Sequence, residues 1–490
     1  MSPDSSFKST FFSSIAHRAR CAPHAIAVTF GAQDVSYGEF ARDIERATRR
    51  LAAQVPNRSG LAMVNVVHPY LHWVITIALG RLGMATVSAV SPAHTPALIG
   101  PDLVFADAEG NVPDPRIIAV SSDWTGAAGD ALPSFADPDH LAEAPFRLVL
   151  SSGTTGTPKK ILLNHAQFQA RLHSIAAGTG MTGEATSSLT LVGIDTVAGH
   201  LFPMTTWFLG GRVVLWAAGE DAYQTILRKR VNYTFMAPVQ LEQLVNTLPP
   251  AAWPVPELTV SLAGSSLPRL VSERARARLT PSLRMLYGST EAGLVTASHA
   301  GLADATPGAT GFVRPDVDLQ IVDQEGRVLP FGQTGEVRCR SQGIVTQYLD
   351  ASGADGDETF RDGWFHPGDA ATLSADGLLT IVGRTKELMN FGGVKMLPNE
   401  VEAVLAACPG VQDLAAFALE LDGAIPTPWV AVVRGPDYDQ SVLAAAFARA
   451  FPHLPAIRFV HADLIPRNQM GKVQRNVILD QVQRALANGG

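Results

Sequence analysis

The chain has 490 residues, 46% of them apolar and only 17% charged, which is enough material for two or more domains with large buried cores. A net charge of −7 gives no electrostatic reason to expect a nucleic-acid partner. Three scattered cysteines, Cys21, Cys339 and Cys408, exclude a disulfide framework and suggest a reducing compartment.

No basic segment followed by an apolar run and a cleavage site opens the sequence, and the most apolar run, 73–79, ends at Arg81 and is too short to span a bilayer. A soluble, cytoplasmic protein is expected.

In chain order, Phe7, Phe11, Phe12, Ile15 and Ala16 lie close to helical spacing until Pro23. Residues 27–30 and Val35 predict a β-hairpin around Gly31. From Tyr37 a helix follows, with Phe40, Ile44, Ala47 and Leu51 on one face. A strand is expected over 64–67 and an apolar helix over 68–82. His68 and His72 have the spacing of a metal pair, but no acidic or cysteine ligand accompanies them and their neighbours are apolar. A structural role is the expectation. Residues 93–145 are rich in Pro, Ala, Gly and Asp with no clear period, and read as a loop-rich connection.

The next stretch carries the chemistry. A short apolar run at 148–150 reads as the end of a buried strand. It breaks into seven small residues, Ser151, Ser152, Gly153, Thr154, Thr155, Gly156 and Thr157, followed by Lys159, Lys160 and a second apolar run at 161–163. Small residues let backbone N–H groups approach a polyanion, and hydroxyl and ammonium groups satisfy its oxygens. The competing reading is a polar hairpin turn. A Walker-type phosphate loop is excluded, because Gly153 and Gly156 are three apart and no Gly-Lys-Ser/Thr follows.

Helices are expected over 164–175, 196–208, 223–230 and 238–246, alternating with strands at 187–192, 212–216, 234–236 and 258–263. That alternation predicts a doubly wound α/β layer. Gly264 and Ser265 begin the turn after the last of these strands. Met-Leu-Tyr-Gly-Ser-Thr-Glu at 285–291 offers an aromatic ring that can stack on a base and oxygen ligands suited to Mg²⁺. Its plain alternative is a hairpin with a surface glutamate. Between 311 and 382 short strands and turns predict a β subdomain, which includes a turn ending in Asp369. Gly-Arg-Thr-Lys-Glu-Leu at 383–388 marks a boundary. Beyond it, Gly392 and Gly393 permit a tight bend, a helix begins near 399, and Lys472 lies in a glycine-containing loop.

Ser-Ser-Gly-Thr-Thr-Gly-Thr-Pro-Lys at 151–159 resembles the signature loop of the adenylate-forming superfamily, which includes acyl- and aryl-CoA ligases, luciferases and the adenylation domains of nonribosomal peptide synthetases. The motifs around Tyr287, Asp369, Arg384 and Lys472 follow in that family's order. The resemblance implies that residues 151–157 and Lys159 grip ATP phosphates, with Thr155 also catalytic. By the same likeness Tyr287 and Gly288 meet adenine, Thr290 a phosphate, Glu291 the Mg²⁺, Asp369 the ribose hydroxyls, and Arg384 ribose or phosphate. It further implies that Lys472 is catalytic, Lys386 is a hinge, Gly392 and Gly393 line a thiol tunnel, and Gly264 and Ser265 line the acyl pocket. Lys160 stands where a glycine is common, and Asn390 where CoA ligases often carry lysine.

The expected fold is α/β: a large N-terminal domain, 1–385, of doubly wound sheets plus a β subdomain, and a small, mobile α+β C-terminal domain, 386–490. The expected activity is ATP-dependent ligation of a small carboxylic acid, through an acyl-AMP, to a phosphopantetheine thiol of CoA or of a carrier protein. A stand-alone amino-acid adenylation enzyme and an inactive nucleotide-binding scaffold are the alternatives. Asp195, counted back from Gly210 and Gly211, falls at or next to the family's substrate-reading position, where aspartate binds an α-ammonium. Its other reading is an N-cap for a helix starting at Thr196.

Overall fold

The structure is a computed structural model that describes residues 10–55, 60–89, 95–107, 116–126, 142–151, 159–216, 219–306, 308–349, 358–391, 394–420, 426–467 and 471–489. Among these residues, fifteen strands join one sheet and six a second. The large sheet changes character at the strand Ser282–Ser289. On one side its neighbours Thr259–Leu262, Tyr233–Met236, Ser187–Thr190, Arg212–Leu215 and Ile26–Phe30 run parallel. On the other, Gly293–His299, Ala309–Val313, Leu378–Arg384 and Asp369–Leu373 run antiparallel. The short strands expected to form a β subdomain are therefore continuous with the parallel sheet. The change of sense falls where the Tyr287 motif begins.

The helix Pro69–Arg81 is buried from Tyr70 to Gly80. A helix that is apolar on every face has to be enclosed on every face, and its core partners include Phe12, Phe40, Phe146, Phe168 and Trp207. His68 accepts the N–H of Leu71 as N-cap and Pro69 opens the helix, so the histidine pair has separate structural duties. Asn164 and Gln167 form a capping box for His165–Thr179.

Two strands within 93–145 depart from the expected loop-rich connection. Leu103–Asp107 and Ile117–Val120 are parallel strands of the six-stranded sheet. Such strands are short apolar runs without alternation, and composition alone hides them among prolines and glycines. At the C-terminal end, Val411–Leu419, Thr427–Arg434 and Arg458–His461 form a separate three-stranded sheet. With the helices Pro398–Ala406, Gln440–Ala450 and Arg475–Gly489, they make the expected small α+β unit. No helix among the described residues is long and apolar enough to cross a membrane, and the three cysteines are free.

One polar chain runs through the apolar layer between the two large sheets. His72 Nδ1 lies 3.1 Å from the Val66 carbonyl and Nε2 lies 2.8 Å from Ser88 Oγ. Arg147 Nη2 donates to the same Ser88 oxygen at 2.8 Å. The Val66 carbonyl can only accept, so His72 is protonated on Nδ1 and Ser88 donates to Nε2. This arrangement suits a neutral imidazole. Burial lowers the His72 pKa to about 4, as it does for His165, and holds that of His200 well below the ordinary histidine value.

These side chains take up protons on unfolding at pH values where the native state does not. Stability is therefore retained above pH 6.5 and lost as the pH falls from 6.5 towards 4, by about 3 kcal/mol for His72 alone. Urea titrations at pH 7.5 and 5 should show a lower midpoint at pH 5, and His72→Gln should reduce the difference.

Candidate active site

The phosphate-loop segment is framed by an antiparallel hairpin. Pro145–Ser151 pairs with Lys159–Asn164, and Ser151 lies opposite Lys159. The bases of the loop are thereby pinned to each other. Ser152, Gly153, Thr154, Thr155 and Gly156 lie outside the described residues. Lys159 places its ammonium 4.5 Å from the centre of the Tyr348 ring, within cation–π range.

The Tyr287 motif ends the strand Ser282–Ser289, where a bulge at Tyr287 and Gly288 breaks the ladder and re-aims the side chains. Tyr287 Oη donates to Asp369 Oδ2 at 2.5 Å. Arg384 Nε meets Asp369 Oδ1 at 2.8 Å, because Asp369 and Arg384 face each other across two strands. Burial raises the Asp369 pKa, while Arg384 and the Tyr287 hydroxyl pull it back down. Burial, and then the Asp369 charge, raise the Tyr287 pKa. Tyr287 therefore acts as a donor.

Lys472 reaches this cluster from the C-terminal unit. Gly471 has φ +78°, and a Cβ added there would lie 3.3 Å from Ser265 Oγ and 3.5 Å from Val239. The glycine lets the lysine loop lie directly on the segment that begins at Gly264. Arg467 anchors that loop by donating to the Gly471 carbonyl at 2.9 Å and pairing with Asp413 at 2.7 Å. Burial lowers the Lys472 pKa, helped by Arg384 and opposed by Glu387 and Asp369. The structure thus brings together Tyr287, Asp369, Arg384, Lys472, Ser265 and Gly264. Lys386 sits in the 3-10 turn Thr385–Glu387, and Gly392 and Gly393 lie outside the described residues.

Thr290 and Glu291 are held from behind. The Arg171 guanidinium is buried and donates to three carbonyls: Gly343 at 2.8 Å, Thr290 at 2.8 Å and Glu291 at 2.7 Å. Glu291 Oε1 accepts from Tyr348 Oη at 3.0 Å. Among the described residues no group of three His, Cys, Asp or Glu could hold a metal ion, so these residues offer no ready-made cage. One carboxylate, with nucleotide phosphates supplying further oxygens, is a donor set that fits Mg²⁺.

Asp195 is half-buried and does not cap the following helix. That helix is Val197–Phe208, and its N-cap is Thr196, whose side chain accepts from the Gly199 N–H. Thr196 has the cap because its hydroxyl is one residue closer to the free N–H groups. Asp195 instead lies in the field of the fully buried Arg147, whose Nη2 also reaches the Ile194 carbonyl at 3.3 Å. Burial lowers the Arg147 pKa to about 9, and the Asp195 charge partly restores it.

Sequence reasoning missed Arg171, Tyr348 and Arg147. Arg171 had a signal: Phe168, Arg171, Leu172 and Ile175 fall on one helical face and all are buried. A charge on an apolar stripe needs buried partners. Arg147 likewise stands between Phe146 and Leu148 in a buried strand. Tyr348 had none, since nothing in its local sequence indicates what it touches.

The lysine loop of the C-terminal unit therefore lies beside a carboxylate–arginine pair of the large α/β body. The family model described as AMP-binding enzyme matches residues 15–349, and the chain belongs to that family.

Among its relatives, an indoleacetate–CoA ligase from Aromatoleum aromaticum is 28% identical, with 94% of this chain and 96% of that protein covered. The 4-coumarate–CoA ligase-like 9 protein of Oryza sativa subsp. japonica is 26% identical, over 92% and 88%. Two solved structures share the fold. The amide bond synthetase McbA from Marinactinospora thermotolerans has a TM-score of 0.82 at 20% identity, covering 96% and 99%. The Bacillus subtilis o-succinylbenzoate CoA synthetase bound to its acyl-adenylate has 0.79 at 20%, covering 95% and 97%.

Proposed function

We propose that this enzyme joins a small carboxylic acid, an aryl or arylalkyl acid by the names of its relatives, to CoA in two half-reactions. In the first, a carboxylate oxygen attacks the α-phosphorus of ATP. The new C–O–P linkage forms, the bond to the β-phosphate oxygen breaks, and pyrophosphate leaves. In the second, the CoA thiol attacks the acyl carbonyl. A C–S bond forms, the C–O bond to AMP breaks, AMP leaves, and the thiol proton passes to solvent. The observation that carries this reading is the seat of the lysine loop, with Gly471 packed on Ser265 and Lys472 itself in the field of Arg384, Glu387 and Asp369.

In this reading the Lys472 ammonium bridges the attacking carboxylate and the α-phosphate. Its partial desolvation strengthens both attractions. Residues 151–157 and Lys159 hold the β- and γ-phosphates, Asp369 accepts the ribose hydroxyls, and Tyr287 offers its ring to adenine. Glu291 would hold Mg²⁺, which neutralises charge on the departing pyrophosphate. No side-chain nucleophile is required, because the acceleration comes from positioning and charge.

The amino-acid reading of Asp195 has a competitor inside the protein. Arg147 offsets the aspartate's charge from within the core, so a substrate ammonium is not needed to balance it. A pyrophosphate-exchange screen over aryl, fatty and amino acids tests the assignment. Exchange supported by aryl or fatty acids is expected, and exchange limited to α-amino acids would favour the alternative. ATP binding without turnover on any acid would favour a scaffold.

The chain is also proposed to divide near 385–386, with Lys386 as the hinge. Lys386→Pro fixes φ and should impede rotation between half-reactions. Adenylate should still form while transfer to CoA fails, as single-turnover assays of each step would show. Equal loss of both would place the hinge elsewhere.

A further inference from the structure

Lys159 and Glu291 arrive from different elements, a hairpin strand and a turn, and carry opposite charges. One side chain stands against both. Tyr348 takes the Lys159 ammonium on its ring at 4.5 Å and gives its hydroxyl to Glu291 Oε1 at 3.0 Å. It is 9% exposed, with the Phe360 ring packed edge-on at 5.1 Å. Its neighbours are tied to the same two elements: the Val345 N–H donates to the Glu291 carbonyl at 3.2 Å and the Leu349 N–H to the Lys160 carbonyl at 2.9 Å.

From this geometry we infer that Tyr348 is a positioning residue that holds Lys159 and Glu291 ready for ATP and its metal, each on a partner weaker than the other's charge. The inference rests on the proposed roles of Lys159 and Glu291. An ammonium and a carboxylate in direct contact would satisfy each other, and ATP would have to break that pair. A ring face and a neutral hydroxyl compete far less with phosphate and cation. The hydroxyl also occupies one carboxylate oxygen and orients the group that remains for the metal, as supporting hydrogen bonds do at metal sites.

The test is calorimetric binding of ATP to the full chain, with Mg²⁺ and with EDTA, for the parent, Tyr348→Phe, Tyr348→Leu and Glu291→Gln. Tyr348→Phe keeps the ring and should lose about five- to twenty-fold of the affinity that Mg²⁺ adds, with ATP binding in EDTA unchanged. Tyr348→Leu should also weaken binding in EDTA, because Lys159 loses its seat. In the double variant with Glu291→Gln, the Phe change should add nothing.

Parent-like Mg²⁺ dependence in Tyr348→Phe, alongside a shifted Glu291→Gln, would overturn the Tyr348 assignment and leave the Glu291 reading intact. An unshifted Glu291→Gln would overturn both. Unfolding midpoints measured in parallel identify a variant that is merely unfolded; since Phe preserves the packing, a parent-like midpoint is expected for it.

Discussion

Lys472→Ala is expected to slow acid-dependent pyrophosphate exchange by about 10²- to 10³-fold. The loss should appear in turnover more than in the Michaelis constant for ATP, since the ammonium counts most where charge moves between carboxylate and phosphate. The fold should survive. Lys472 lies in a loop whose anchors are Arg467 on Asp413 and Arg475 on Glu387 and Glu402, and the substitution leaves all three pairs in place. Transfer to CoA from a presynthesised adenylate should be nearly unaffected, because that step needs no contact with the α-phosphate as it forms. Parent-like exchange would remove Lys472 from the chemistry.

Arg171→Met is expected to cost about 3–5 kcal/mol of stability and, in the folded fraction, to weaken metal-dependent ATP binding. Methionine fills most of the stem's volume but leaves the carbonyls of Gly343, Thr290 and Glu291 without their donor. Each such loss costs about 1–3 kcal/mol, partly offset because a guanidinium no longer has to be buried. That penalty is visible in the native protein, where burial lowers the Arg171 pKa to about 10. Urea titration measures the first effect and calorimetry below the unfolding midpoint the second. Arg171→Lys should fall between, since an ammonium has fewer donors than a guanidinium and cannot reproduce its planar fork. A change below about 1 kcal/mol would mean that water replaces the arginine.

Asp369 and Arg384 show what was legible in the sequence. Each sits in a short motif, and the motifs fall in family order, so a shared site was foreseeable. Their contact depends on strand register, which sets Asp369 opposite Arg384 and which no local pattern encodes. The alternation of strands and helices from 187 to 263 was readable because each element has its own period. The strands at 103–107 and 117–120 were not, because they are short apolar runs that show no alternation. Of the two readings of Asp195, the cap misses by one residue, the usual margin at a helix end, because Thr196 holds that place. Arg171 and Tyr348 act through carbonyls and rings distant in sequence, and such contacts exist only once the chain has folded.

In the proposed sequence a carboxylate attacks ATP and is then handed to CoA, and its oxygens can be followed through both steps. An acid labelled with ¹⁸O in its carboxylate is used as substrate, and the products are weighed by mass spectrometry. One ¹⁸O is expected in the AMP released and one in the acyl-CoA carbonyl, with AMP and acyl-CoA in equal amounts. Unlabelled AMP, or label appearing in inorganic phosphate, would contradict that sequence.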